Sequence, residues 1–191
     1  MSDNMNDNLK ERIDWTRTPF NDGQTYKLVK KDGKTANQQR EEAKNKEKQW
    51  GNSMINDTNN GQWTTKLGEN LVKDVLERTG RTVSRPKKKE HYQPDWETED
   101  AIWEVKTRNW TVEGTAGEKV LGTMYKYSDV PLLYGKPLII VCVAYQEYEL
   151  THGNTKIFGE MSDRKKAFLK LAEDFKITYM KFSELVSQIP N

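Results

Sequence analysis

The apolar positions of this chain are unevenly spread, and from about residue 64 onward their spacing becomes regular. Leu67, Leu71, Val72, Val75 and Leu76 fall on one helical stripe, which Thr64 or Thr65 can cap and Gly80 can stop. Residues 81–84 read as an edge strand. A second extended run begins at Tyr92, turns at the acidic residues 97–100, and continues with alternating side chains. Ile102, Glu104 and Lys106 then share one strand face, while Trp103 and Val105 lie on the other, where they can pack. A helix starting near Thr115 carries Val120, Leu121 and Met124, and the run PLIIVCVA over 137–144 predicts a central buried strand. Ser162 caps a helix over 162–175 with Phe168, Leu169 and Ala172 inward, followed by a strand over 177–180 and a last helix over 182–189.

Residues 1–60 show no sustained apolar period. Residues 35–50 have helix-forming composition but little to bury before Trp50, and Trp15, Phe20, Tyr26, Leu28 and Val29 are spaced like a small hairpin or an arm. The expected organisation is an N-terminal arm or accessory segment over 1–60, either an arm lying on the main domain that embraces DNA or a second subunit, or a partly disordered tail, and a folded domain over 61–191.

Composition narrows the chemistry. With 191 residues, 34% hydrophobic and 31% charged, the chain is polar yet long enough for a core. Its single cysteine, Cys142, excludes a disulfide within the chain and a Cys-based zinc site, and the only histidines are His91 and His152. No apolar run approaches a membrane span, and the first residues lack the basic-then-apolar order of a signal peptide, so a cytoplasmic location is expected. The net charge of +2 says little, but the stretch 78–89 holds Arg78, Arg81, Arg85, Lys87, Lys88 and Lys89 without one acid. Such a cluster suits a polyanion, or a solvated loop. The segment Gly114-Thr-Ala-Gly117-Glu-Lys119 lacks phosphate-loop spacing, so no nucleotide cofactor is expected.

The stretch YQPDWETEDAIWEVKTRN over 92–109 carries the candidate reaction chemistry. If Asp95 and Glu104 sit on neighbouring strands, their carboxylates can converge on a hard divalent cation, and Lys106 lies beside it. A cation that acidifies water and neutralises phosphate charge, with an ammonium beside it, is equipment for phosphodiester hydrolysis. Pro94-Asp95 and Glu104-x-Lys106 resemble the PD-(D/E)xK nuclease superfamily, and the chain looks most like a type II restriction endonuclease. The resemblance spans roughly 64–148. It implies an α/β fold with an αβββαβ core, a mixed central sheet flanked by helices, and Mg2+ as cofactor with Mn2+ as substitute. It also implies that Glu69, which follows Gly68 on the first helix, and the carbonyl of Val105 join the metal set. Glu69 has a plainer role open to it, complementing the helix dipole.

The expected activity is sequence-specific cleavage of double-stranded DNA by a homodimer. The catalytic set is Asp95, Glu104, Lys106 and Glu69, and the expected DNA contacts are Arg85, Lys87, Lys88, Lys89, Arg108, Asn109, Lys119, Lys126 and Gln146. The Gln-x-x-x-Tyr pattern of some exonuclease-like relatives is not met, because position 150 is Leu. A structure-specific repair or transposition nuclease, and a non-catalytic DNA-binding protein, are the alternatives.

Overall fold

The computed structural model describes residues 2–18, 33, 35–58, 60–111 and 116–190. In chain order these form α1 (Ser2–Arg17), α2 (Ala36–Met54), α3 (Trp63–Arg78), β1 (Trp96–Glu97), β2 (Ile102–Arg108), α4 (Ala116–Lys126), α5 (Val130–Tyr134), β3 (Leu138–Ala144), α6 (Tyr145–His152), α7 (Asp163–Asp174), β4 (Ile177–Lys181) and α8 (Phe182–Val186). Phe20, Tyr26, Leu28, Val29 and Thr115 lie outside the described residues.

The strands form one open mixed sheet in the order β1-β2-β3-β4. β1 runs antiparallel to β2, pairing Trp96 with Trp103, whereas β3 lies parallel to both β2 and β4. The expected edge strand over 81–84 shrinks to one bridge between Ser84 and Glu97. Parallel pairing needs covered faces, and helices supply the cover on both. On one side Trp103, Val105, Val141 and Val143 pack with Leu67, Leu71, Val72 and Val75 of α3 and with Phe182 and Leu185 of α8. On the other, Ile102, Leu138, Ile140 and Ile177 meet Tyr92, Tyr127, Val130 and Tyr134. Cys142 packs there with Val120 of α4 and Leu150 of α6.

α3 begins at Trp63 behind Gln62, which makes no side-chain cap, so neither Thr64 nor Thr65 is the cap. It stops as expected: Gly80 takes φ +88, and its N–H donates to the Glu77 carbonyl at 3.0 Å. α2 is capped at Thr35, whose hydroxyl accepts from Gln38 N while the Gln38 side chain reaches back to Thr35 N.

Within the first sixty residues, the described helices α1 and α2 pack on the rest of the fold. Trp15 lies in a helix, and Leu9 and Trp15 of α1 join the same core as α3 and the sheet. Glu47 of α2 is fully buried. Its Oε1 accepts from Trp15 Nε1 and Trp110 N, each at 3.0 Å, and its Oε2 from Thr111 N at 3.0 Å, Thr111 Oγ1 at 2.6 Å and Asn109 Nδ2 at 3.2 Å. One carboxylate therefore ties α1 and α2 to the chain leaving β2. Among the described residues no helix is long and apolar enough to cross a membrane.

Candidate active site

The site is built where the short strand β1 gives out beside β2. Asp95 N donates to Trp103 O at 3.1 Å, extending the ladder one step. Its carboxylate then takes over the role of a strand, because Asp95 Oδ2 accepts the Val105 N–H at 2.7 Å. N–H and C=O of one strand residue leave on the same edge. The Val105 carbonyl therefore emerges on the Asp95 side, beyond the end of β1.

Glu104 and Lys106 stand on the other periodicity of β2 and share a face, as their spacing predicts. Lys106 Nζ donates to Glu104 Oε1 at 2.5 Å. Glu104 Oε2 is buried and has no hydrogen-bond partner within the protein. A carboxylate oxygen placed so is costly unless something electropositive joins it. Burial pushes the Asp95 carboxyl up to about 7; the charges of Glu104 and Glu69 add to the rise, while the Val105 N–H and Lys106 oppose it. Tyr127, in the turn after α4, completes the wall. Its phenol is held protonated by burial and by the charges of Glu104 and Asp95, and Lys106 Nζ lies 6.0 Å from its ring centre. No motif marks Tyr127 in the sequence, since only the crossover from β2 to β3 brings it here.

Glu69 reaches the site because α3 lies unusually close to β2. A Cβ built on Gly68 would stand 1.6 Å from Thr107 Oγ1, so only glycine permits that approach. The helix is held on its other side by Trp96 Nε1, which donates to the Glu69 carbonyl at 2.9 Å. The Glu69 carboxylate pairs with Arg85 Nη2 at 2.5 Å. Arg85 also donates through Nη1 to the Asp95 carbonyl at 3.1 Å, stands 3.7 Å from Asp95 Oδ1, and lies over the Trp96 ring at 4.2 Å. Arg85, expected to meet DNA, is thus spent on the acidic site itself. Among the described residues no three His, Cys, Asp or Glu side chains gather into a group able to hold a metal. Asp95 and Glu104 come together, and Glu69 is drawn toward Arg85.

The expected DNA contacts divide by exposure. Lys87, Lys88, Lys119 and Lys126 are exposed, and so is Lys89, although its Nζ donates to the Leu133 carbonyl at 2.7 Å. Arg108, Asn109 and Gln146 are buried and do not present themselves to a polyanion. Arg108 pairs with Glu149 Oε2 at 2.6 Å and lies over the Tyr145 ring, while Asn109 serves Glu47. Gln146 is buried in the first turn of α6, which follows directly on Ala144, at φ 57 and ψ −127, the last residue of β3. Glu47 and Tyr127 are the residues that sequence reasoning missed. No protein-family model, no curated protein and no solved structure matches this chain.

Proposed function

We propose that this chain is a Mg2+-dependent DNA endonuclease of restriction type, cytoplasmic, acting on double-stranded DNA as a homodimer without a nucleotide cofactor. The observation that carries the reading is the pinning of Asp95 to the Val105 N–H beside Glu104 and Lys106. The order α3, Ser84 bridge, β1, β2, α4, β3 supports an αβββαβ restriction-endonuclease-like core. The buried, unpartnered Glu104 Oε2 and the crowding that raises Asp95 fit a divalent cation, because hard cations prefer carboxylate and carbonyl oxygens.

Asp95, Glu104 and the Val105 carbonyl would hold Mg2+ or Mn2+, with Glu69 joining once its pair with Arg85 parts. When bound, the ion supplies charge neutralisation at a phosphate oxygen and a more acidic water. Lys106, anchored on Glu104, orients the attacking water and steadies negative charge on the phosphate. Tyr127 keeps bulk water from the Glu104 side. Lys87 and Lys88 hold the backbone through their charges.

Digestion of long DNA in Mg2+ and in EDTA tests this. Discrete fragments that require the cation are expected, and Lys106→Ala should abolish cutting while DNA binding persists. Cleavage confined to branched DNA would favour a repair or transposition nuclease. Binding without any cleavage would leave a DNA-binding protein.

A further inference from the structure

Arg85 belongs to the basic run by sequence and to the acidic site by position. Its Nη2 stands 2.5 Å from Glu69 Oε2, its Nη1 donates to the Asp95 carbonyl at 3.1 Å and lies 3.7 Å from Asp95 Oδ1, and its guanidinium covers the Trp96 ring at 4.2 Å. Lys106 meets Glu104 from the other side of the site. Three carboxylates, Glu69, Asp95 and Glu104, thus share two cations that the chain itself supplies. With all three ionised, three acids against two cations leave one negative charge. A divalent ion added to that set makes it positive, whereas the same ion with Arg85 gone leaves it neutral.

The backbone on either side of Arg85 is held. Ser84 and Glu97 exchange two hydrogen bonds, at 3.0 and 2.9 Å, and Pro86, next in the chain, is buried. Glu69 is held as well, because Gly68 lies against Thr107 and Trp96 Nε1 donates to the Glu69 carbonyl. What is left to move is the guanidinium, since the Arg85 side chain is 50% exposed and that of Glu69 only 17%. Turning it outward keeps its charge in water and displaces no element. An ion pair with one partner so exposed is weak. The Glu69 carboxylate left behind is mostly buried and needs another cation.

We propose that Arg85 is the resident cation of the empty site, an autoinhibitory contact that neutralises Glu69 and Asp95 in the metal-free protein and competes with a divalent ion for them. The inference rests on the nuclease reading above and deepens it. It accounts for two features together: among the described residues no three ligating side chains gather, because Glu69 is turned to Arg85, and Glu104 Oε2 stays buried and unpartnered although two cations stand in the site.

The test is Mn2+ binding to the full chain without DNA, read at pH 8 from the electron paramagnetic resonance of the free ion. Arg85→Gln should tighten binding by roughly 5- to 50-fold, the range of an ordinary coupling between competing ligands. A residue that only organised the site would weaken binding when removed. Arg85→Lys should tighten it by less, because an ammonium keeps the charge without the two-pronged geometry. In a Glu69→Gln chain the gain from Arg85→Gln should largely disappear, since no carboxylate remains there to be released. In EDTA the Tm of Arg85→Gln should lie below that of the wild type, and Mn2+ should raise it by more. A wild type that binds Mn2+ and cuts DNA, with Arg85→Gln and Arg85→Lys binding no tighter, would overturn the proposal alone, and so would a full gain in the Glu69→Gln chain. A wild type that neither binds Mn2+ nor cuts would remove the nuclease reading and the proposal together.

Discussion

Asp95 carries the sharpest consequence at the scale of single residues. Its carboxyl is pushed up to about 7 by burial and by Glu104 and Glu69, whereas an unfolded aspartate titrates near 3.9. Between those values the folded protein holds a proton that the unfolded chain releases, so this group's contribution to stability falls as pH rises. In EDTA, wild-type Tm is expected to drop more between pH 5 and pH 7.5 than that of Asp95→Asn. Parallel pH profiles for the two proteins would contradict the geometry. On the proposed reading the surface lysines act on DNA binding instead. Lys87→Gln and Lys88→Gln should each reduce the salt slope of DNA binding by about 0.9 where the residue meets a phosphate. Lys89, already bonded to Leu133, should contribute less than either.

At the scale of elements, the closeness of α3 to β2 and the hold of α2 on the exit from β2 set the position of the site. Gly68→Ala forces a methyl into Thr107, and overpacking of this kind costs about 1–3 kcal/mol. Because the same helix carries Glu69, the variant should, on the nuclease reading proposed above, lose cleavage as well as urea midpoint. Glu47→Ala leaves the N–H groups of Trp15, Trp110 and Thr111 without their acceptor. Buried donors stranded in this way each cost about 1–3 kcal/mol, so a loss of at least about 3 kcal/mol in urea unfolding is expected.

For the whole molecule, the shared core of α1, α3 and the sheet decides what can be removed. Deleting residues 1–60 would uncover Trp63 and Trp110 and strip Glu47 from its donors. The truncated chain should lose cooperative thermal unfolding rather than survive as an independent domain. The pairing of Trp15 with Trp63, ring centres 6.1 Å apart, and of Trp110 Nε1 with the Trp15 carbonyl at 2.8 Å are the contacts at stake.

The sequence by itself determined the elements whose signals are local. The stripe from Leu67 to Leu76 specifies α3, the run from Leu138 to Ala144 specifies a buried strand, and strand alternation alone places Glu104 and Lys106 on one face with Trp103 opposite. The acidic turn over 97–100 made the neighbouring of Asp95 and β2 an expectation, and the antiparallel pairing of Trp96 with Trp103 supplies it. Only the tertiary structure decided which polar side chains face inward. Arg108 and Asn109 look like surface groups until Glu149 and Glu47, distant in sequence, supply their partners. Arg85 resembles its basic neighbours until α3 and β1 bring Glu69 and Asp95 to it. Phe168 has helical core spacing, yet α7 lies at the outside of the fold and packs inward through Ala172 and the half-buried Leu169. Periodicity reports which residues share a face, while burial depends on whether another element comes to cover it.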